Sequence, residues 1–206
     1  MKKYLTALSA TALMCAAPYA LAASSTDLTV TGTITPSACT PNWSNSGQVD
    51  AGKISAKDLN PTTSTLVGSH PMQLSVACDA ATLFALNPID NKPNTTAASG
   101  WFGLGLTNAG EKLGFFKAEI KTTLADGVAA QAIDSEDCGA NWSRTSVLGV
   151  GYIVSVGTTT GTNTPIVVKD LTMDVDVLIS IARADSLTLT DDVTLDGSAT
   201  FEMKYL

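Results

Sequence analysis

Between positions 171 and 181, Leu171, Met173, Val175, Val177, Ile179 and Ile181 recur at every second residue, opposed by Thr172, Asp174, Asp176 and Ser180. Only an extended chain sends alternate side chains to opposite faces, so this stretch predicts a long strand with one buried face. The same period runs through Met72, Leu74, Val76 and Cys78, set against Gln73, Ser75 and Ala77. It returns in Leu148, Val150, Tyr152, Val154 and Val156, which predict one strand over 148–156. Near the start, Leu28, Val30 and Ile34 alternate with Thr29, Thr31, Thr33 and Thr35, with Gly32 in phase, until Pro36 ends the run. No stretch combines a helical period with caps; residues 125–133 come nearest and are short. Turn-forming residues fill the gaps, most densely over 91–100 and 157–164. Many short alternating segments separated by turn chemistry predict an all-β sandwich.

The final ten residues, Gly-Ser-Ala-Thr-Phe-Glu-Met-Lys-Tyr-Leu, predict one more strand. Phe201, Met203 and Tyr205 share a face, and Thr200, Glu202 and Lys204 take the other. A half-buried strand of this kind must pair with something already in place.

At the other end, Lys2 and Lys3 precede an apolar run over 4–17 and then Pro18-Tyr19-Ala20-Leu21-Ala22. A charged start, an apolar centre and an Ala-x-Ala site predict a signal peptide over 1–22, with Ala23 opening the mature chain. The apolar run is shorter than the roughly 20 residues that span a bilayer. The expected route is export across the inner membrane into an oxidising periplasm. Losing two lysines shifts the formal charge of −7 to about −9. An acidic chain with one histidine is a poor partner for nucleic acid or anionic lipid. A single domain over 23–206 is the expectation for a chain of this size.

Cys39, Cys78 and Cys138 remain after cleavage, enough for one bridge and one thiol. Cys39 follows the first predicted strand and Cys78 ends the second on its apolar face. A bridge between them closes a loop of about 40 residues, stabilising the fold by roughly 4 kcal/mol in the chain-entropy model. Cys138 lies in the acidic segment Asp134-Ser-Glu-Asp-Cys-Gly, where neighbouring carboxylates disfavour a thiolate nucleophile.

The residues do not suggest an enzyme. His70 is the only histidine and falls in Gly-Ser-His-Pro, which reads as a turn. No nucleophile elbow, zinc-ligand cluster or phosphate-cradling glycine motif is present, and Asp191-Asp192 lacks the spacing of a calcium loop. No cofactor and no metal site is expected.

Gly32-Thr-Ile-Thr-Pro-Ser-Ala-Cys39 resembles the segment around the first cysteine of bacterial chaperone–usher pilins, where a glycine precedes that cysteine by seven residues. Gln73-Leu-Ser-Val-Ala-Cys-Asp79 is similar to the second cysteine segment, and residues 48–54 fall where pilins carry a short strand. The C-terminal Gly197, Phe201 and Tyr205 complete the likeness, which is nearest to an uncharacterised exported family associated with fimbriae. The resemblance implies an immunoglobulin-like, pilin-type sandwich lacking its last strand, with extra loops or strands in the middle. It implies a structural subunit of a surface fimbria, contributing to adhesion and assembled by donor-strand exchange. The implied partners are a periplasmic chaperone, an outer-membrane usher and neighbouring subunits. Gly197, Phe201, Met203 and Tyr205 would form the groove and chaperone-facing strand. Leu28 and Val30 would be the donor positions, and a third donor anchor is missing. That pattern fits a weak donor, a terminal subunit or a relative that does not polymerise. The alternative is a free-standing exported β-sandwich module that binds carbohydrate or another ligand, using loop aromatics Trp101 and Trp142.

Overall fold

The computed structural model describes residues 28–32 and 38–206. The predicted signal peptide lies outside the described residues. The chain divides into two compact units, 1–34 and 35–206. In the first, the described residues 28–32 carry no strand, and the rest of the predicted strand, through Pro36, lies outside the described residues.

Among the described residues the second unit has twelve strands. They are β1 (Cys39–Trp43), β2 (Thr65–Thr82), β3 (Phe84–Asp90), β4 (Phe102–Gly103), β5 (Gly114–Ala125) and β6 (Val128–Ala129). β7 (Gln131–Ser135), β8 (Ser143–Arg144), β9 (Val147–Leu148), β10 (Ile153–Gly157), β11 (Val168–Ile181) and β12 (Ala199–Tyr205) follow. One sheet runs β1-β2-β11-β5-β4, with β6 and β9 also on β5; the other runs β12-β3-β10-β7-β8. Every ladder between these strands is antiparallel, and the result is an all-β sandwich.

The longest alternations form the centre of the first sheet. Leu171, Met173 and Val175 of β11 and Leu74, Val76 and Cys78 of β2 face inward, against Leu86, Val154 and Val156 from the second sheet. Further along the first sheet, the inner face is covered differently. Ile179, Ile181, Val67 and Phe116 pack under irregular chain that supplies Val49, Ile54, Leu59, Leu187, Leu189 and Leu195. Glu111 fastens that cover: one carboxylate oxygen accepts from the Thr188 N–H at 2.6 Å, the other from the Thr188 hydroxyl at 2.8 Å. These bonds and one from the Thr107 hydroxyl hold the Glu111 carboxyl below its ordinary pKa.

Three local expectations change. His70 is not in a turn but within β2, opposite Val177, and Pro71 beside it is tolerated because, among the described residues, β2 has no strand partner on its other side beyond Leu74. The predicted strand over 148–156 is broken at Gly151, whose φ of +92° favours glycine. Its halves join different sheets: β9 pairs with β5 and β10 with β7. Residues 48–54 form no strand, although Val49, Ala51 and Ile54 pack inward. In keeping with the lack of a capped helical period, residues 125–133 form a hairpin around Asp126-Gly127 and the start of β7.

Candidate functional site

The Cys39–Cys78 disulfide is present and joins residues directly opposite in the β1–β2 ladder, with Cα atoms 4.0 Å apart. Such close Cα atoms belong to a pair that exchanges no backbone hydrogen bonds. The N–H and C=O groups of Cys39, Pro41 and Trp43 therefore point away from β2. The Cys39 N–H confirms the direction by donating to the Tyr205 hydroxyl at 3.0 Å. This bond ties the head of β1, in one sheet, to the end of β12, in the other.

At the opposite end of β1, the rings of Trp43 and Phe201 meet edge to face with centroids 5.1 Å apart. Phe102 of β4 lies 6.0 Å from Phe201 and stacks on Phe116 at 4.8 Å. Between these contacts β1 and β12 face one another without forming a ladder. A cleft of about 400 Å³ opens beside Trp43 and Phe201, lined also by Pro41, Asn42, Ser46 and Ala199.

β12 itself is paired on one edge only. Leu206 N–H donates to Leu83 C=O, and Ser198 C=O accepts from Asn91 N–H, so even-numbered residues bond to β3. The alternation then turns the N–H and C=O groups of Ala199, Phe201, Met203 and Tyr205 to the open edge. Among the described residues, no strand pairs there. The side chains of Phe201 and Met203 point inward against the main core but stay half-buried, and Tyr205 is exposed. Gly197 lies just ahead of β12, where an added Cβ would sit 3.0 Å from Leu104 Cδ2 and 3.1 Å from Phe116 Cε1. A larger residue there would press on the first sheet, and these side chains would have to give by a few tenths of an ångström.

The other predicted site residues are placed elsewhere. Leu28 and Val30 are 90% and 86% exposed. Trp101 is half-buried, with the Lys117 ammonium 4.5 Å above its ring. Trp142 is half-buried and donates through Nε1 to Gly139 C=O at 3.0 Å. No ring contact joins the two tryptophans among the described residues. Cys138 is an exposed free thiol. His70 is half-buried, and its Nε2 is buried without a hydrogen-bond partner among the described residues. Among the described residues, no three His, Cys, Asp or Glu side chains assemble as a metal site. On the outer face, Asp174 accepts from Thr122 at 2.5 Å and from Gln73 at 3.0 Å, which lowers its pKa. Trp43 and Pro41 are the site residues that the sequence reading missed; both are in phase with Cys39, and that phase was the available signal.

Fold and site together define a disulfide-bonded β-sandwich in which, among the described residues, β12 is paired along one edge only. A family model described as a protein of unknown function (DUF1120) matches residues 28–100, which include both bridged cysteines and β1–β3. The chain is also similar to Protein GltF of Escherichia coli (strain K12), with 31% identity over 255 aligned residues, covering all of this chain and 98% of that protein. The chain belongs to the family of GltF.

Proposed function

We propose that this protein is an exported, non-enzymatic subunit whose sandwich is completed by a strand from another molecule, in the manner of a chaperone–usher pilin. The observation that carries this reading is the open edge of β12: seven residues long, inward-facing Phe201 and Met203 half-buried, and free of proline and bulge. Natural sheets shorten, bend or cover their edges, because an unpaired edge is a template for another chain. β8 and β4, which end the same two sheets on their other sides, are two residues each.

In this reading a chaperone first shields the β12 edge in the periplasm. A neighbouring subunit then replaces it at the usher, and the product is a surface fibre. Leu28 and Val30 are the donor residues. The alternative binding-module reading would rely on Trp101 and Trp142, and both rings are already engaged within the chain.

The test is to shear surface material from cells producing the full chain and separate it without boiling. Strand-exchanged polymers should run as a ladder that collapses to monomer for Phe201→Lys. Recovery of the unaltered protein solely as a free monomer would sink the proposal.

A further inference from the structure

The two strands that face each other across the seam are unequal as hydrogen-bonding edges. β12 turns four N–H and four C=O groups outward, at Ala199, Phe201, Met203 and Tyr205. β1 has three residues in the corresponding phase. Its Cys39 N–H is taken by the Tyr205 hydroxyl, and Pro41 has no N–H to offer. Trp43 alone keeps a seam-facing donor. The spacing is also unequal to the task. Cα atoms of β1 and β12 approach within 8 Å, whereas a strand bonded to both would hold its neighbours about 9.5 Å apart.

We infer that Tyr205 caps β1 and thereby assigns an incoming strand to β12 alone. The incoming strand extends the second sheet through bonds to Phe201 and Met203, while β1 remains clasped to Tyr205 through Cys39. Tyr205 is thus a positioning residue: its hydroxyl stands in for the acceptor that a strand would otherwise bring to β1. This rests on the strand-acceptor reading above, and adds to it which edge is used and what keeps the other edge closed. The occupant is the N-terminal segment of a second copy. Leu28 and Val30 present two apolar side chains at strand spacing, separated by threonine and almost fully exposed. Threonine between apolar positions also suits a strand with one wet face.

The test is amide hydrogen exchange, read by NMR on the full chain, with and without a synthetic peptide of residues 26–35. The peptide should slow exchange at Phe201 and Met203 about tenfold or more and leave Trp43 and Cys39 unchanged. Tyr205→Phe should speed exchange at Cys39 by about tenfold, the worth of one lost hydrogen bond, while the peptide still protects β12. An unchanged Cys39 amide in Tyr205→Phe overturns the clasp. Protection of Trp43 together with Phe201 overturns the assignment to β12 alone but leaves the strand-acceptor reading standing. Protection of neither strand overturns both. Protection without peptide that vanishes on deleting residues 23–35 would make the occupant the chain's own segment, contradicting a second copy.

Discussion

The centre of the sandwich and the seam between β1 and β12 use the same side-chain alternation and reach different ends. At the centre, Met173, Leu74 and Leu86 are completely buried, because a paired strand lies on each side and the opposite sheet covers them. At the seam, Trp43, Phe201 and Met203 point at the same core yet remain half-buried. Residue type does not separate the two regions. The seam has an edge on either side where the centre has neighbours. Burial on a sheet's inner face therefore depends on strands flanking the residue as much as on the layer above it.

The largest expected effect concerns the tie between the two regions. Replacing Cys39 and Cys78 by serine removes the covalent tie between β1 and β2 and should cost about 4 kcal/mol in denaturant unfolding, the loop-entropy value for this separation. An unchanged midpoint would mean that β1 is held without the bridge. Next, Met173→Ala should cost roughly 3 kcal/mol, within the usual range for a fully buried methionine. Met203→Ala should cost about 1 kcal/mol in the free chain, since its side chain has not left water completely. If the two methionine variants cost the same, the contrast between centre and seam fails.

The smallest effect lies away from both regions, in the loop after β7. Asp137 accepts from the Ser135 hydroxyl at 2.6 Å and from the backbone and side chain of Asn141, which lower its pKa to about 2. A lowered carboxylate pKa stabilises the fold above the ordinary aspartate range, and the gain is lost as pH falls toward 2. Amides of Gly139 and Asn141 should therefore exchange faster, relative to intrinsic rates, as pH is lowered through that window. Asp137→Asn should remove most of the dependence. The methionine contrast should persist at neutral pH in that variant.

The parts of the molecule legible in the sequence are those where burial is one-sided. β11, β2 and β12 each put one face on the core and one in water, so the period of two survives in the residues. β10 is buried on both faces, and its run of apolar residues merges with β9 across Gly151. Nothing in that pattern marks the change of sheet. His70 was hidden by its neighbours, because Gly68, Ser69 and Pro71 are turn formers when read locally. Pairing with β11 on both sides of these residues overrides that preference. The irregular cover over the far half of the first sheet was missed for a related reason. Leu187, Leu189 and Leu195 face inward without any ladder, so they gave no strand boundaries to find. Of the site, Phe201, Met203 and Tyr205 were readable from phase. That Tyr205 reaches Cys39, 166 residues away, is a product of the fold alone.

The most direct measurement compares urea unfolding of the chain with that of a version continued past Leu206 by a flexible turn and a copy of residues 26–35. Tethering makes strand addition intramolecular, so a weak donor is enough. If β12 is an incomplete edge, the continued chain should unfold at higher urea, by several kcal/mol, and Met203→Ala should become nearly as costly as Met173→Ala. If the midpoint does not move and the Met203 penalty stays small, the seam needs no further strand, and the strand-acceptor account is wrong.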